Sequence, residues 1–113
     1  MIDWRQQIES ELELAISSRE MGNEGKARVC ARRAAGIAIK EYFLRCGVPI
    51  KGSSAYDLIN KLMEMPDTSS QVRELCSHLT ARVSEDFTLP VDADLINDAR
   101  QLCQAILPGW QSP

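Results

Sequence analysis

Ala27-Arg-Val-Cys-Ala-Arg-Arg-Ala-Ala-Gly-Ile-Ala-Ile-Lys-Glu-Tyr-Phe-Leu-Arg-Cys46 decides the fold, because it is apolar around most of a helical wheel yet built largely from small residues. At about 100° per residue, Ala27, Ala31, Ala34, Ala38 and Tyr42 form one stripe, which Cys30, Ile37 and Leu44 widen. Lys26, Arg33 and Lys40 form a narrow basic line beside it. Small side chains on several faces admit close neighbours from several directions, the pattern of a central bundle helix. The helix is predicted from about Glu24 to Arg45, with Gly47 and Pro49 as cap and stop.

Upstream, Trp4, Ile8, Leu12, Ala15 and Arg19 recur at spacings of three and four, which predicts a helix over about Asp3 to Met21. Gly22-Asn23-Glu24-Gly25 reverses the chain, so the first two helices should pair antiparallel. Downstream of a polar Lys51-Gly-Ser-Ser connection, Ser53 or Ser54 can cap a short helix carrying Tyr56, Leu58, Ile59, Leu62 and Met65, closed by Pro66. A third long helix starts near Ser69 or Ser70 with Val72, Leu75, Cys76, Leu79 and Val83 on one stripe. Ser84-Glu-Asp-Phe-Thr-Leu-Pro-Val reads as a loop that Phe87, Leu89 and Val91 pin to the core. The last helix, capped by Asp92 or Asp94, runs over about Ala93 to Leu107 with Leu95, Ala99, Leu102 and Ile106 inward, and the tail from Trp110 is expected to be mobile. The fold class is therefore all-α: an up-down antiparallel four-helix bundle with one short extra helix in the middle connection.

The 113 residues suffice for one hydrophobic core and lack material for a second, so residues 1–113 read as a single domain. Met1-Ile-Asp-Trp-Arg-Gln-Gln lacks the basic start and apolar run of an export signal, and no segment approaches the roughly 20 apolar residues of a membrane span, which points to the cytoplasm. Cys30, Cys46, Cys76 and Cys103 contain no Cys-x-x-Cys pair, so they read as small buried hydrophobes, and no metal or cofactor is expected. Thirteen basic against sixteen acidic side chains give a net charge of −3, which disfavours a broad grip on nucleic acid but leaves room for a local basic patch.

Ala31-Arg-Arg-Ala-Ala-Gly-Ile-Ala-Ile-Lys-Glu-Tyr-Phe resembles the second-helix pattern Q-A-x-E-x-x-L-K-A of the HEPN superfamily, small helical bundles often found beside minimal nucleotidyltransferases. Arg33 stands at the Gln, Ala34 at the Ala, Gly36 at the Glu, Ile39 at the Leu and Lys40 at the Lys, so two polar positions depart. Ser54-Ala-Tyr-Asp-Leu58 is similar to the family's T-H-D-L segment, with Tyr56 where histidine is usual, and Arg82-Val83 stands at its R-Y-P. The resemblance covers nearly the whole chain. It implies a homodimer that binds nucleotides or RNA, partners a nucleotidyltransferase, or cleaves RNA.

The RNA-cleaving members carry R-x4-6-H, and Arg73-Glu-Leu-Cys-Ser-His78 has that spacing. A histidine could move the proton of a ribose 2′-hydroxyl while an arginine stabilises the charged phosphorane. Five helical steps separate Arg73 and His78 by about 140°, so only a composite site across two chains would join them. Lys26, Arg33 and Lys40 point one way at seven-residue spacing. They read either as a phosphate-contacting ridge or as a solvated seam paired with Glu9, Glu13 or Glu20. Tyr56 and Arg82 complete the candidate nucleotide site, with His78 and Arg82 one turn apart, whereas Asp57 reads as a first-turn acid that complements its helix dipole. The expected function is a nucleotide- or RNA-associated accessory or regulatory domain. The alternatives are a metal-independent ribonuclease using Arg73 and His78, and a protein-interaction module that partners a nucleotidyltransferase.

Overall fold

A computed structural model describes residues 3–50, 54–81 and 94–110. They form α1 (Trp4–Glu20), α2 (Glu24–Cys46), α3 (Ala55–Glu64), α4 (Ser70–Thr80) and α5 (Leu95–Ile106), with no strand among the described residues. Each helix starts where a short polar side chain takes an otherwise unbonded backbone amide. Asp3 accepts from Gln6, Asn23 from Lys26, Ser54 from Asp57, Ser69 from Val72, and Asp94 from Ile96 and Asn97. Asp57 returns the favour by accepting from the Ser54 amide, which makes a capping box and gives this acid a structural task. Segment 82–93, with Arg82 and the expected loop anchors Phe87, Leu89 and Val91, lies outside the described residues.

α1 and α2 run antiparallel through a turn in which Gly22 takes φ 80°, a conformation that disfavours residues with a Cβ. Both ends of the hairpin are fastened. Arg19 Nη2 meets Glu24 Oε2 at 2.8 Å near the turn, and Arg45 sits over the Trp4 ring at 5.3 Å at the open end. α2 also packs against α5 and α3, so its alanines 27, 31, 34, 35 and 38 are fully buried together with Ile39 and Phe43. The burial reaches further round the wheel than the expected stripe on one side, where Arg32, Ile39 and Phe43 are also buried. It stops short on the other, where Leu44 is 64% exposed.

Three further expectations change. α4 ends at Thr80 instead of continuing through Val83, because its terminal carbonyls are drawn off: Arg32 donates to Leu79 O and Ala81 O, and Thr80 Oγ1 donates back to Cys76 O at 2.9 Å. Trp110 is a core residue rather than part of a mobile tail. The chain turns at Gly109 (φ 78°), the Trp110 amide bonds Leu107 O at 3.1 Å, and the indole ends 2% exposed. Cys30, Cys76 and Cys103 are buried as expected, but Cys46 is exposed. Burial pushes the Cys76 thiol up to about 11 and that of Cys103 up to about 12, so both are inert hydrophobes at neutral pH.

The tightest approach in the fold is that of α2 to α3. A Cβ on Gly36 would stand 3.1 Å from Ala55 Cβ and 3.2 Å from Ala55 Cα. Gly36→Leu should therefore push α3 away from α2 and destabilise the protein by about 1–3 kcal/mol, read as a lower urea midpoint. An unchanged midpoint would show that α3 is not held by this contact.

Candidate functional site

α2 leaves one strip of its surface open. Lys26, Val29, Arg33, Lys40 and Leu44 are exposed and Ile37 is half-buried, and at about 100° per residue these six fall within about 80° of one another. The basic line and the apolar residues between it therefore share one face. The middle of the strip is the floor of a groove of about 290 Å³ lined by Glu11 of α1, Arg33, Gly36, Ile37 and Lys40 of α2, and Ala55 and Leu58 of α3. Gly36 matters twice here, since the approach it permits also sets the height of the α3 wall.

Lys26, Arg33 and Lys40 make no ion pair among the described residues, so the expected seam with Glu9, Glu13 or Glu20 is not formed. Glu11 is the acid that faces the strip. Its Oε2 is buried with no hydrogen-bond partner among the described residues. Burial, and secondarily the Glu11 charge, raise the Cys30 thiol, which keeps this neighbour protonated. The groove thus offers two cations and an apolar floor, with Glu11 on its α1 wall.

Tyr56 is placed elsewhere. Its ring lies 5.1 Å from the Arg32 guanidinium and does not line the groove. Arg32 itself, which the sequence reading counted only as extra charge near the basic line, is 9% exposed. Its Nε donates to Leu79 O at 2.6 Å and its Nη2 to Ala81 O at 3.4 Å. Burial pushes its guanidinium below the ordinary arginine range, and the neighbouring Arg28 adds to this. The charge is accommodated by the negative end of the α4 dipole and the Tyr56 face. The signal for this role was the position of Arg32 in an apolar run, four residues after Arg28 and four before Gly36.

Arg73 and His78 stand at opposite ends of α4 and do not converge within one chain. Arg73 caps α3, with Nη2 donating to Met65 O at 2.9 Å and Nε to Met63 O at 3.3 Å. His78 Nδ1 lies 3.2 Å from Asp98 Oδ2 of α5, and its Nε2 is 4.0 Å from Glu74 Oε1. The Nδ1–H tautomer donates to Asp98, an arrangement that orients an imidazole. Sequence reading missed Asp98, because nothing in the primary structure pairs the last turn of α4 with the first turn of α5. At the same end of the fold, Arg19 joins Glu24 to Asp94. No three His, Cys, Asp or Glu side chains among the described residues could hold a metal ion.

Asp98 carries a testable charge cost. Burial raises its carboxyl above the ordinary range, and His78 offsets only part of this. The folded state therefore holds a proton that the unfolded state releases, and Asp98 costs stability as pH climbs through the window just above the ordinary aspartate value of about 4. Glu24, lowered by its hydrogen bond to Arg19, acts with the opposite sign. Asp98→Asn removes one term and leaves the other, so the unfolding free energy of wild type minus that of the variant should fall as pH rises through that window. A pH-independent difference in urea denaturation would reject this assignment. No protein-family model, curated protein or solved structure matches the chain.

Proposed function

We propose that this chain is a HEPN-like domain, an up-down antiparallel four-helix bundle with α3 as its short extra helix, and that it acts as a nucleotide- or RNA-associated accessory or regulatory protein. The groove over α2 carries the reading. Its volume of about 290 Å³ sits at the small end of ligand sites, which start near 300 Å³, and fits one nucleotide unit. Arg33 and Lys40 are placed for phosphate, and Ile37, Ala55 and Leu58 give a base an apolar surface. A simple anion would use only the cations; a nucleotide uses both the cations and the apolar surface.

Lys26 extends the row, so a short RNA strand could place successive phosphates along α2. Three such contacts give a salt dependence of log K of about −2, and loss of one reduces it by about 0.7. No helix among the described residues is long and apolar enough to cross a membrane, and a cytoplasmic location agrees with this reading. The hydrogen bond of His78 to Asp98 supports a second reading, a metal-independent ribonuclease. In that reading Asp98 orients His78, and the arginine comes from a second chain.

Isothermal calorimetry with AMP and with a short single-stranded RNA should show binding that weakens with salt. Arg33→Ala and Lys40→Ala should each weaken it about tenfold while leaving helix content unchanged. Silence with both ligands would sink the nucleotide reading and leave an interaction module whose partner is a nucleotidyltransferase. For the second reading, His78→Ala should abolish cleavage of single-stranded RNA; equal background cleavage by wild type and variant would exclude it.

A further inference from the structure

Two further cavities lie along the seam between α4 and α5, and Ala105 lines both. The smaller, of about 200 Å³, has apolar walls from Leu62, Val72 and Ile106 and takes its polar groups from Tyr42, Asp67 and Thr68. The larger is an open groove of about 510 Å³, lined by Arg100, Gln101 and Gln104 of α5 and by Gln71 of α4. Its size falls within the usual range of ligand sites. None of these residues lines the groove over α2.

The two cavities carry opposite charge. In the smaller, Thr68 Oγ1 donates to Leu62 O at 2.7 Å, which leaves its lone pairs to accept. The Val72 amide is already taken by Ser69 Oγ at 3.2 Å. Burial, the hydrogen bond to Cys46 and the charge of Asp67 push the Tyr42 hydroxyl above its ordinary range, so it stays neutral. Asp67 is therefore the charge of this cavity, and it forms no ion pair among the described residues. Acceptors and a negative charge together suit a cationic donor. In the larger groove the charge is Arg100, a guanidinium with donors only, which has neither an ion pair nor a hydrogen bond among the described residues. Gln101 and Gln104 stand between Arg100 and Ala105 on α5, and their amides, like that of Gln71, also lack a partner among the described residues.

We propose that this seam binds a short zwitterionic peptide, with its ammonium at Asp67, its carboxylate at Arg100 and its peptide groups on the glutamine amides. Length selects about three residues. Arg100 and Ile106 are six residues apart, about 9 Å along the α5 axis. A free amino acid separates its charges by about 3.5 Å and is too short, whereas three extended residues span about 10 Å. Charge selects against the other ligand classes. A nucleic acid or a phosphate brings only negative charge and meets Asp67 unfavourably, and an alkylamine leaves Arg100 without a counter-charge. A glutamine amide supplies the donor and the acceptor that a peptide group needs, which holds an extended backbone without reading its side chains. The site does not rest on the nucleotide reading.

Isothermal calorimetry of the full chain with trialanine at neutral pH should show one-to-one binding. N-acetyl-trialanine, which lacks the ammonium, and trialanine amide, which lacks the carboxylate, should each bind about tenfold more weakly. Asp67→Asn should weaken trialanine by a similar factor and leave N-acetyl-trialanine unchanged. Arg100→Gln should weaken trialanine and leave trialanine amide unchanged. Asp67 is exposed and Arg100 half-buried, both without ion pairs among the described residues, so circular dichroism should show wild-type helix content in each variant. Absence of trialanine binding to the wild type at millimolar concentration, capped peptides that bind as well as the free one, or variants that weaken all three ligands alike would each overturn the proposal. Calorimetry that is silent towards AMP and RNA would leave this result untouched, so the two readings fail separately.

Discussion

The structure depends on how closely other helices can approach α2. Alanine at five buried positions and glycine at position 36 remove the side-chain bulk that normally holds helix axes apart, and α1, α3 and α5 all use the space. The approach is tightest where Gly36 meets Ala55, with room for no added methyl at ordinary contact distance. A helix packed on so many sides has little surface left. Apart from its last turn, what remains is the strip between α1 and α3, and for that reason Lys26, Arg33 and Lys40 are gathered into one row instead of being dispersed.

The other cations are mostly committed to holding the fold. Arg32 and Arg73 both take backbone carbonyls at the C-terminal ends of helices, α4 and α3 respectively, where unbonded carbonyls and the helix dipole favour a positive charge. Lys61 donates to Pro49 O at 2.8 Å and lies 5.9 Å from the Phe43 ring, tying the α2–α3 connection down. Arg19 links the α1–α2 turn to the start of α5, and Arg45 closes the open end of the hairpin on Trp4. Against that background Lys26, Arg33 and Lys40 differ in kind. They are exposed, aligned and without ion pairs among the described residues, so their arrangement is not explained by the stability of the chain that carries them.

Helix positions were legible in the sequence because local chemistry writes them. Ser54, Ser69 and Asp94 are caps whose side chains act on amides two or three residues away, and the apolar periods of α1, α4 and α5 report their own buried faces. The basic row was legible for the same reason, since seven-residue spacing on one helix is a local property. What stayed hidden depends on distant neighbours. The pairing of His78 with Asp98, the carbonyl contacts of Arg32 and Arg73, and the burial of Trp110 each join segments that no periodicity connects. Within one chain Arg73 and His78 each find a separate partner, so the spacing of the motif would carry chemistry only in a site composed from two chains.

Net charge gives a poor account of this surface. A total of −3 suggests mild repulsion from any anion and from another copy of the chain. The hairpin separates its charges, however, with acids on the outer flank of α1 and bases on the open strip of α2 that form no ion pair among the described residues. Screening at physiological salt acts over about 8 Å, shorter than the 10.5 Å step between successive charges on either helix, so a ligand meets the local row and not the molecular total. A surface of this kind attracts phosphate to one side and a basic helix to the other. Because one face carries both the exposed apolar residues and the basic row, whichever partner covers it must satisfy both, and that requirement excludes a bare inorganic anion as its full complement.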